Sequence, residues 1–216
     1  MVDILLQVRK YRIIVALRGI QPKDVTAAAR ALYDGGIRLL EITFDQADPN
    51  TEAKTADAIS AVRREFTDRI LVGAGTVLTP DQAKVAVEAG AEYLLSPHFD
   101  PTVVTAARAL NVPSIPGAFT PSEVAAAWEA GASMVKLFPA GKLGIPYLKD
   151  MAAPLGHIPL LPMGGVDLAN MNDYLALSNV AGIGIGSAIV KRSLIEKGDF
   201  EGLCKLARSF TEKLPQ

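Results

Sequence analysis

Short apolar runs alternate with helix-patterned segments along the whole chain, and this alternation restricts the folds open to it. The runs cover residues 12–17, 37–43, 70–73, 93–96, 113–116, 134–138, 159–163 and 182–186. They are short and mostly apolar rather than alternating, which marks strands covered on both faces. Between them, segments 22–33 and 51–66 place Leu32, Ala58, Ile59 and Val62 at helical spacing, and residues 203–214 read as a last helix. Thr79-Pro80-Asp81-Gln82 and Thr120-Pro121-Ser122-Glu123 have the form of helix starts. Each has a Thr cap, a Pro at the first helical position, and an amide or acid three residues after the Thr. Gly35-Gly36-Ile37, Ala89-Gly90-Ala91 and Ala130-Gly131-Ala132 each end a helix and lead into a strand. Glycine supplies the left-handed turn that stops the helix there.

Repeated strand–helix units predict a parallel sheet. Eight of them predict closure into a (β/α)8 TIM barrel rather than an open doubly wound sheet, and such barrels occupy roughly 200–250 residues as one unit. The expected organisation is a single domain over residues 1–216.

The chain has 22 Lys and Arg against 23 Asp and Glu, a net charge of -1. That balance gives no global reason to bind nucleic acid or an anionic membrane, so an anionic ligand needs a local site. Cys204 is the only cysteine, which rules out an internal disulfide and a multi-cysteine zinc site within one chain. The first segment is broken by Asp3, Gln7, Arg9, Lys10 and Arg12, unlike a signal peptide. No segment offers about 20 consecutive apolar residues for a membrane span. The cytoplasm is the expected location.

Two charges interrupt strands that should be apolar. Glu41 lies within Leu39-Leu40-Glu41-Ile42-Thr43, and Lys136 within Met134-Val135-Lys136-Leu137-Phe138. Burying a lone charge is costly unless it is paired or neutralised. A structural ion pair is one reading. The other is chemical: a lysine in an apolar pocket holds its proton less firmly, and its free amine attacks carbonyls. A neighbouring carboxylate would move the protons for imine formation and C–C cleavage.

Late in the chain, Met163-Gly164-Gly165-Val166 follows the seventh run and Gly182-Ile183-Gly184-Ile185-Gly186-Ser187-Ala188 covers the eighth. In eight-fold barrels the loops after strands seven and eight often bind phosphate on backbone amides. Tight turns are the plainer reading. Gly73-Ala74-Gly75-Thr76 ends the third run; a tight turn or a close ligand explains the glycines, and only a ligand explains Thr76. Arg18 ends the first run, where its guanidinium fork suits a carboxylate. His98 and His157, the only histidines, make no persuasive metal site even with Asp45 and Asp48.

These residues in this order resemble the 2-keto-3-deoxy-6-phosphogluconate / 4-hydroxy-2-oxoglutarate aldolase family. The likeness runs from about Ile14 to the final helix, nearly the whole chain, and is carried by segments 35–43, 72–77, 96–97, 115–117, 135–140, 164–166 and 184–187. It implies a (β/α)8 barrel, usually a homotrimer. It also implies a class I reaction needing no metal or other cofactor, which gives pyruvate and an aldehyde from a phosphorylated or related keto-acid substrate. By match, Lys136 is the Schiff-base lysine and Glu41 the general acid/base. Thr76 lies near the pyruvyl carboxylate, Gly164, Gly165, Gly186 and Ser187 hold the phosphate, and Pro97 and Phe138 are counted with the substrate-binding residues.

Two positions depart from the family pattern. Many members carry an arginine four residues after the glutamate, where this chain has Asp45; Arg18 is expected to take over the carboxylate contact. Met163 stands where a Thr is common, which leaves the preferred aldehyde and C4 stereochemistry open. A same-fold keto-acid lyase acting on a different 2-keto-3-deoxy sugar acid or decarboxylating oxaloacetate, a phosphate-binding isomerase or synthase, and a non-catalytic oligomeric sugar-phosphate scaffold are the rival readings.

Overall fold

The computed structural model describes residues 2–215. Nine strands are present among them. In order they are β1 (Ile13–Leu17), β2 (Leu39–Thr43), β3 (Leu71–Gly75), β4 (Leu94–Leu95), β5 (Ser114–Ile115), β6 (Gly117–Ala118), β7 (Val135–Leu137), β8 (Leu160–Pro162) and β9 (Ile183–Ile185). The helices are α1 (Ile4–Tyr11), α2 (Pro22–Asp34), α3 (Thr51–Phe66), α4 (Pro80–Glu88), α5 (Pro101–Ala109), α6 (Pro121–Glu129), α7 (Ala140–Leu155), α8 (Met171–Leu175), α9 (Arg192–Glu196) and α10 (Phe200–Thr211). None of the described helices is long and apolar enough to cross a membrane.

All strand pairs are parallel, so every strand points its carboxyl end to one edge. The curled sheet runs β5-β4-β3-β2-β1-β9 in one piece and β6-β7-β8 in another. The expected fifth strand is thus two segments, divided at Pro116. Proline has no N–H to continue the ladder, and the chain changes neighbour there: Ile115 pairs with Leu95, whereas Gly117 pairs with Lys136. Parallel bridges Leu160↔Val180 and Met163↔Gly184 join β8 to the β9 segment.

Period-two alternation sorts the side chains. One cluster of buried residues lies between sheet and helices. A second, smaller cluster lines the inner face and includes Ile14, Leu39, Tyr93, Leu95, Ile115, Met134 and Leu161. Ile4 and Val8 of α1 complete it. This helix was not expected: the first segment reads only as unlike a signal peptide, with no element assigned before residue 12. Its terminus is capped by Asp3, whose side chain accepts from the Leu6 amide, and its apolar face meets the amino-terminal layer of the inner core.

The helix stops follow the glycine rule. Gly36, Gly90 and Gly131 have φ of 95°, 103° and 95°, and in each case the next amide reaches back across the last turn. Asn111, at φ 59°, makes a fourth such stop after α5; asparagine tolerates this region, which is why a search for glycine passes over it. Thr120 and Glu123 form the full capping box. Thr79 caps α4, but the Gln82 side chain is used elsewhere, as described below. The last helix begins at Phe200, earlier than expected, because Asp199 caps it by accepting from the Gly202 amide.

Candidate active site

The inner-face alternation continues from the apolar layer into a polar one. Two residues beyond Met134 comes Lys136, and two beyond Leu39 comes Glu41, so both charges rise directly above the inner core. Lys136 is 2% exposed and Glu41 0%. Lys136 Nζ lies 4.0 Å from Glu41 Oε1. That separation is Coulombic contact without a hydrogen bond. Neither Glu41 oxygen accepts a hydrogen bond from any described group. The nitrogen also stands 5.1 Å from the centre of the Phe138 ring.

Burial pushes the Lys136 amine below its ordinary range, and the nearby Arg18 charge pushes the same way, while Glu41 opposes both. Removing hydration disfavours the ammonium more than the neutral amine. The result is an amine with a larger free-base fraction at neutral pH than an exposed lysine, held against a carboxylate.

The two early glycines have a cause that neither sequence reading supplied. They admit neighbouring side chains rather than a ligand or a turn. A Cβ on Gly75 would overlap the Glu41 carboxylate, and one on Gly73 would overlap the Tyr93 ring. Tyr93 is fully buried, and its hydroxyl donates to the Leu40 carbonyl at 2.6 Å, next to Glu41. Gly75→Ala is therefore expected to displace the carboxylate and destabilise the fold by about 1–3 kcal/mol, the usual cost of overpacking. Gly186→Ala, whose Cβ would meet nothing nearer than Ala16 Cβ at 3.9 Å, should leave thermal stability near the wild type. Thermal melts of the two variants make the comparison.

The remaining expected residues gather at the carboxyl edge. Arg18 follows β1 and donates to Thr76 Oγ1 at 3.3 Å. Thr76 follows β3 with φ +57°. The carbonyl of Pro97, after β4, crowds Gly117, the register partner of Lys136. Gly164 and Gly165 have φ of 84° and 81°, packed against the Phe138 ring and the Gly141 backbone respectively. Gly186 abuts Ala16, which pairs with Glu41. Exposed Ser187 opens the turn in which Ile189 and Val190 donate back to the Gly186 carbonyl. Because Met163 bridges Gly184, the two late glycine segments leave the sheet side by side. Met163 is itself buried, its Sδ lying where a Cβ on Gly184 would be 2.6 Å away.

Asp45 turns away into its own loop, accepting from the Ala47 amide. It lines a neighbouring cavity of about 230 Å³ between the loops after β1 and β2. Asp48 and Arg192 also line that cavity, and both are already paired, with Lys54 and Glu196. The residues missed by sequence reasoning are Tyr93, hidden in an apolar run, and the Gln46–Gln82 pair, whose amides give no periodic signal.

Comparison with known proteins supplies the family and the fold likeness. The family model for KDPG and KHG aldolase matches residues 4–206. The chain is 38% identical over 209 residues to the 2-dehydro-3-deoxy-phosphogluconate aldolase of Treponema pallidum (strain Nichols), covering 96% of each. It is 40% identical over 185 residues to the KHG/KDPG aldolase of Escherichia coli (strain K12), covering 85% of this chain and 83% of that one. A solved structure, KDPG aldolase from Legionella pneumophila with pyruvate captured at low pH as a covalent carbinolamine intermediate, matches with TM-score 0.83 and 32% identity over 92% of this chain and 93% of that chain. Fold and matches first define a class, the carbon–carbon lyases of aldolase type. Within it, the chain belongs to the KDPG and KHG aldolase family.

Proposed function

We propose that this chain is a class I aldolase cleaving 2-keto-3-deoxy-6-phosphogluconate-type 2-keto-4-hydroxy acids to pyruvate and an aldehyde, glyceraldehyde 3-phosphate or glyoxylate. The observation that carries the reading is the buried amine 4.0 Å from a buried carboxylate that accepts no hydrogen bond. Breaking water's hold on two charges costs several kcal/mol per ion, and good hydrogen bonds must repay it if the pair is there for stability. This pair makes none to each other. The gap suits a reacting group or one water placed between them.

In the proposed sequence, Lys136 passes its ammonium proton to Glu41 and, now neutral, attacks C2 of the keto acid; the nitrogen's surplus proton moves to the C2 oxygen and a carbinolamine forms. Glu41 supplies a proton to the departing hydroxyl, water leaves, and the iminium forms. Glu41, again a carboxylate, takes the proton of the C4 hydroxyl as C3–C4 breaks. The electron pair of that bond moves into the iminium, giving an enamine and free aldehyde. Protonation at C3 and hydrolysis return pyruvate and Lys136. Arg18 and Thr76 hold the carboxylate, Phe138 and Pro97 wall the keto-acid end, and Gly164, Gly165, Gly186 and Ser187 offer backbone amides and a hydroxyl to the phosphate.

The two sheet pieces are read as one closed (β/α)8 barrel and one domain, supported by the Leu160↔Val180 and Met163↔Gly184 bridges across the seam. The proposed assembly is a homotrimer and the proposed location the cytoplasm; Cys204 is free.

Pyruvate release, followed through a coupled dehydrogenase with EDTA present, tests the activity on the phosphorylated and the dicarboxylic substrate. Turnover of neither would overturn it. Arg18→Ala should raise KM for both by about 10–100-fold, the loss expected when a charged hydrogen-bond donor leaves a carboxylate. An unchanged KM would remove Arg18 from the carboxylate site.

A further inference from the structure

The backbone ladder between β2 and β3 ends where the Phe44 amide donates to the Gly75 carbonyl at 2.9 Å. Beyond that point a side chain takes over. Gln46 Nε2 donates to the Thr76 carbonyl at 2.9 Å. The same carboxamide is locked against that of Gln82. Gln82 Nε2 donates to Gln46 Oε1 at 2.9 Å, and Gln46 Nε2 donates to Gln82 Oε1 at 3.3 Å. Gln82 is buried, and its Oε1 also accepts from the Leu78 amide at 2.8 Å. Its own amide is fixed by the Thr79 cap at 3.1 Å. The loops after β2 and β3 are therefore tied through one amide pair, with Gln82 buried and Gln46 exposed on its loop.

Thr76 needs that tie. A β-branched residue at φ +57° occupies a region it rarely visits, and such a conformation persists only where the surroundings hold it. In this conformation its carbonyl meets Gln46 while its hydroxyl accepts from Arg18 Nη2. The guanidinium is exposed and otherwise free to sample many rotamers.

We propose that Gln46, locked by Gln82, is a positioning residue for the keto-acid end of the site: it fixes Thr76 in its left-handed conformation and, through the Thr76 hydroxyl, orients Arg18. This rests on the reading that Arg18 and Thr76 receive the substrate carboxylate. Gln46 itself touches no reacting atom. Its loss is felt in how well the carboxylate is gripped, not in the proton transfers at Lys136.

The test uses the full chain with Gln46→Met, which removes the donor and adds no charge, and Gln46→Glu, which sets a carboxylate against the Thr76 carbonyl. Both should raise KM for cleavage about tenfold, the scale of one interaction in a coupled network. The kcat should stay near the wild-type value, because Lys136 and Glu41 are untouched. In an Arg18→Ala background, Gln46→Met should cost nothing more, because the group it positions is gone. A wild-type KM in Gln46→Met overturns the proposal. So does a full tenfold loss on top of Arg18→Ala, or a lower melting temperature with unchanged KM. If Gln46→Met does not fold, Gln82→Met breaks the same lock from the other side and is read by the same measurements. A wild-type chain that forms no pyruvate adduct fails the underlying reading separately, before any Gln46 variant is compared.

Discussion

Lys136→Met should abolish pyruvate release, with kcat/KM falling on the order of 10⁴-fold or more, the scale seen when a covalent nucleophile is removed. Met keeps the length and apolar stem of the side chain, so the inner core beneath it, Met134 and Leu161 among its members, stays filled. The variant loses only the amine. The fold should therefore survive, and circular dichroism at neutral pH is the control. An isomerase built on the same late glycines has no need of this amine and would keep activity. The experiment thus separates the two readings as well as testing the residue.

Glu41→Gln should lower kcat by about 10²–10⁴-fold, the range for loss of a positioned general acid/base. Pyruvate should still become attached to Lys136, more slowly, because the nucleophile remains. The pH dependence carries a second sign. Glu41 is the one influence that raises the Lys136 pKa, against burial and Arg18, which lower it. Its negative charge holds the proton on the amine, and neutral Gln releases it. The rising limb of adduct formation with pH should therefore move to lower pH in Glu41→Gln. A limb that moves upward would mean the carboxylate does not face the lysine in solution. Folding has its own dependence on this lysine. A depressed amine pKa means the unfolded chain binds more protons between the folded and unfolded values, so stability rises with pH through that window and levels off above the ordinary lysine range.

Much of this was legible in the residues, and the exceptions share a physical cause. Strands and helix stops were readable because apolar runs, Pro-led caps and glycine turns act locally. Lys136 and Glu41 were readable because a charge in an apolar strand breaks a strong rule. Their separation was not, since it depends on the register that sets Glu41 opposite Gly73 and Lys136 opposite Gly117. The early glycines were misassigned for the same reason: what a missing Cβ makes room for lies on another strand, Glu41 for Gly75 and Tyr93 for Gly73. Helix α1 was missed although its Asp3 cap and the Ile4–Val8 spacing are local signs; what fixes so short a helix is those two side chains joining the inner core, a tertiary gain. The Gln46–Gln82 lock spans 36 residues of sequence and leaves no periodic pattern at all. Gln82 even occupies the position where a capping-box amide would be expected, and its side chain turns instead to the Leu78 amide and to Gln46.

The most direct test of the account is to incubate the protein with pyruvate and EDTA, reduce with borohydride, and map the product by peptide mass spectrometry. The account predicts one reduced pyruvate per chain, on Lys136. An adduct on another lysine, or none on protein shown to be folded, would contradict it.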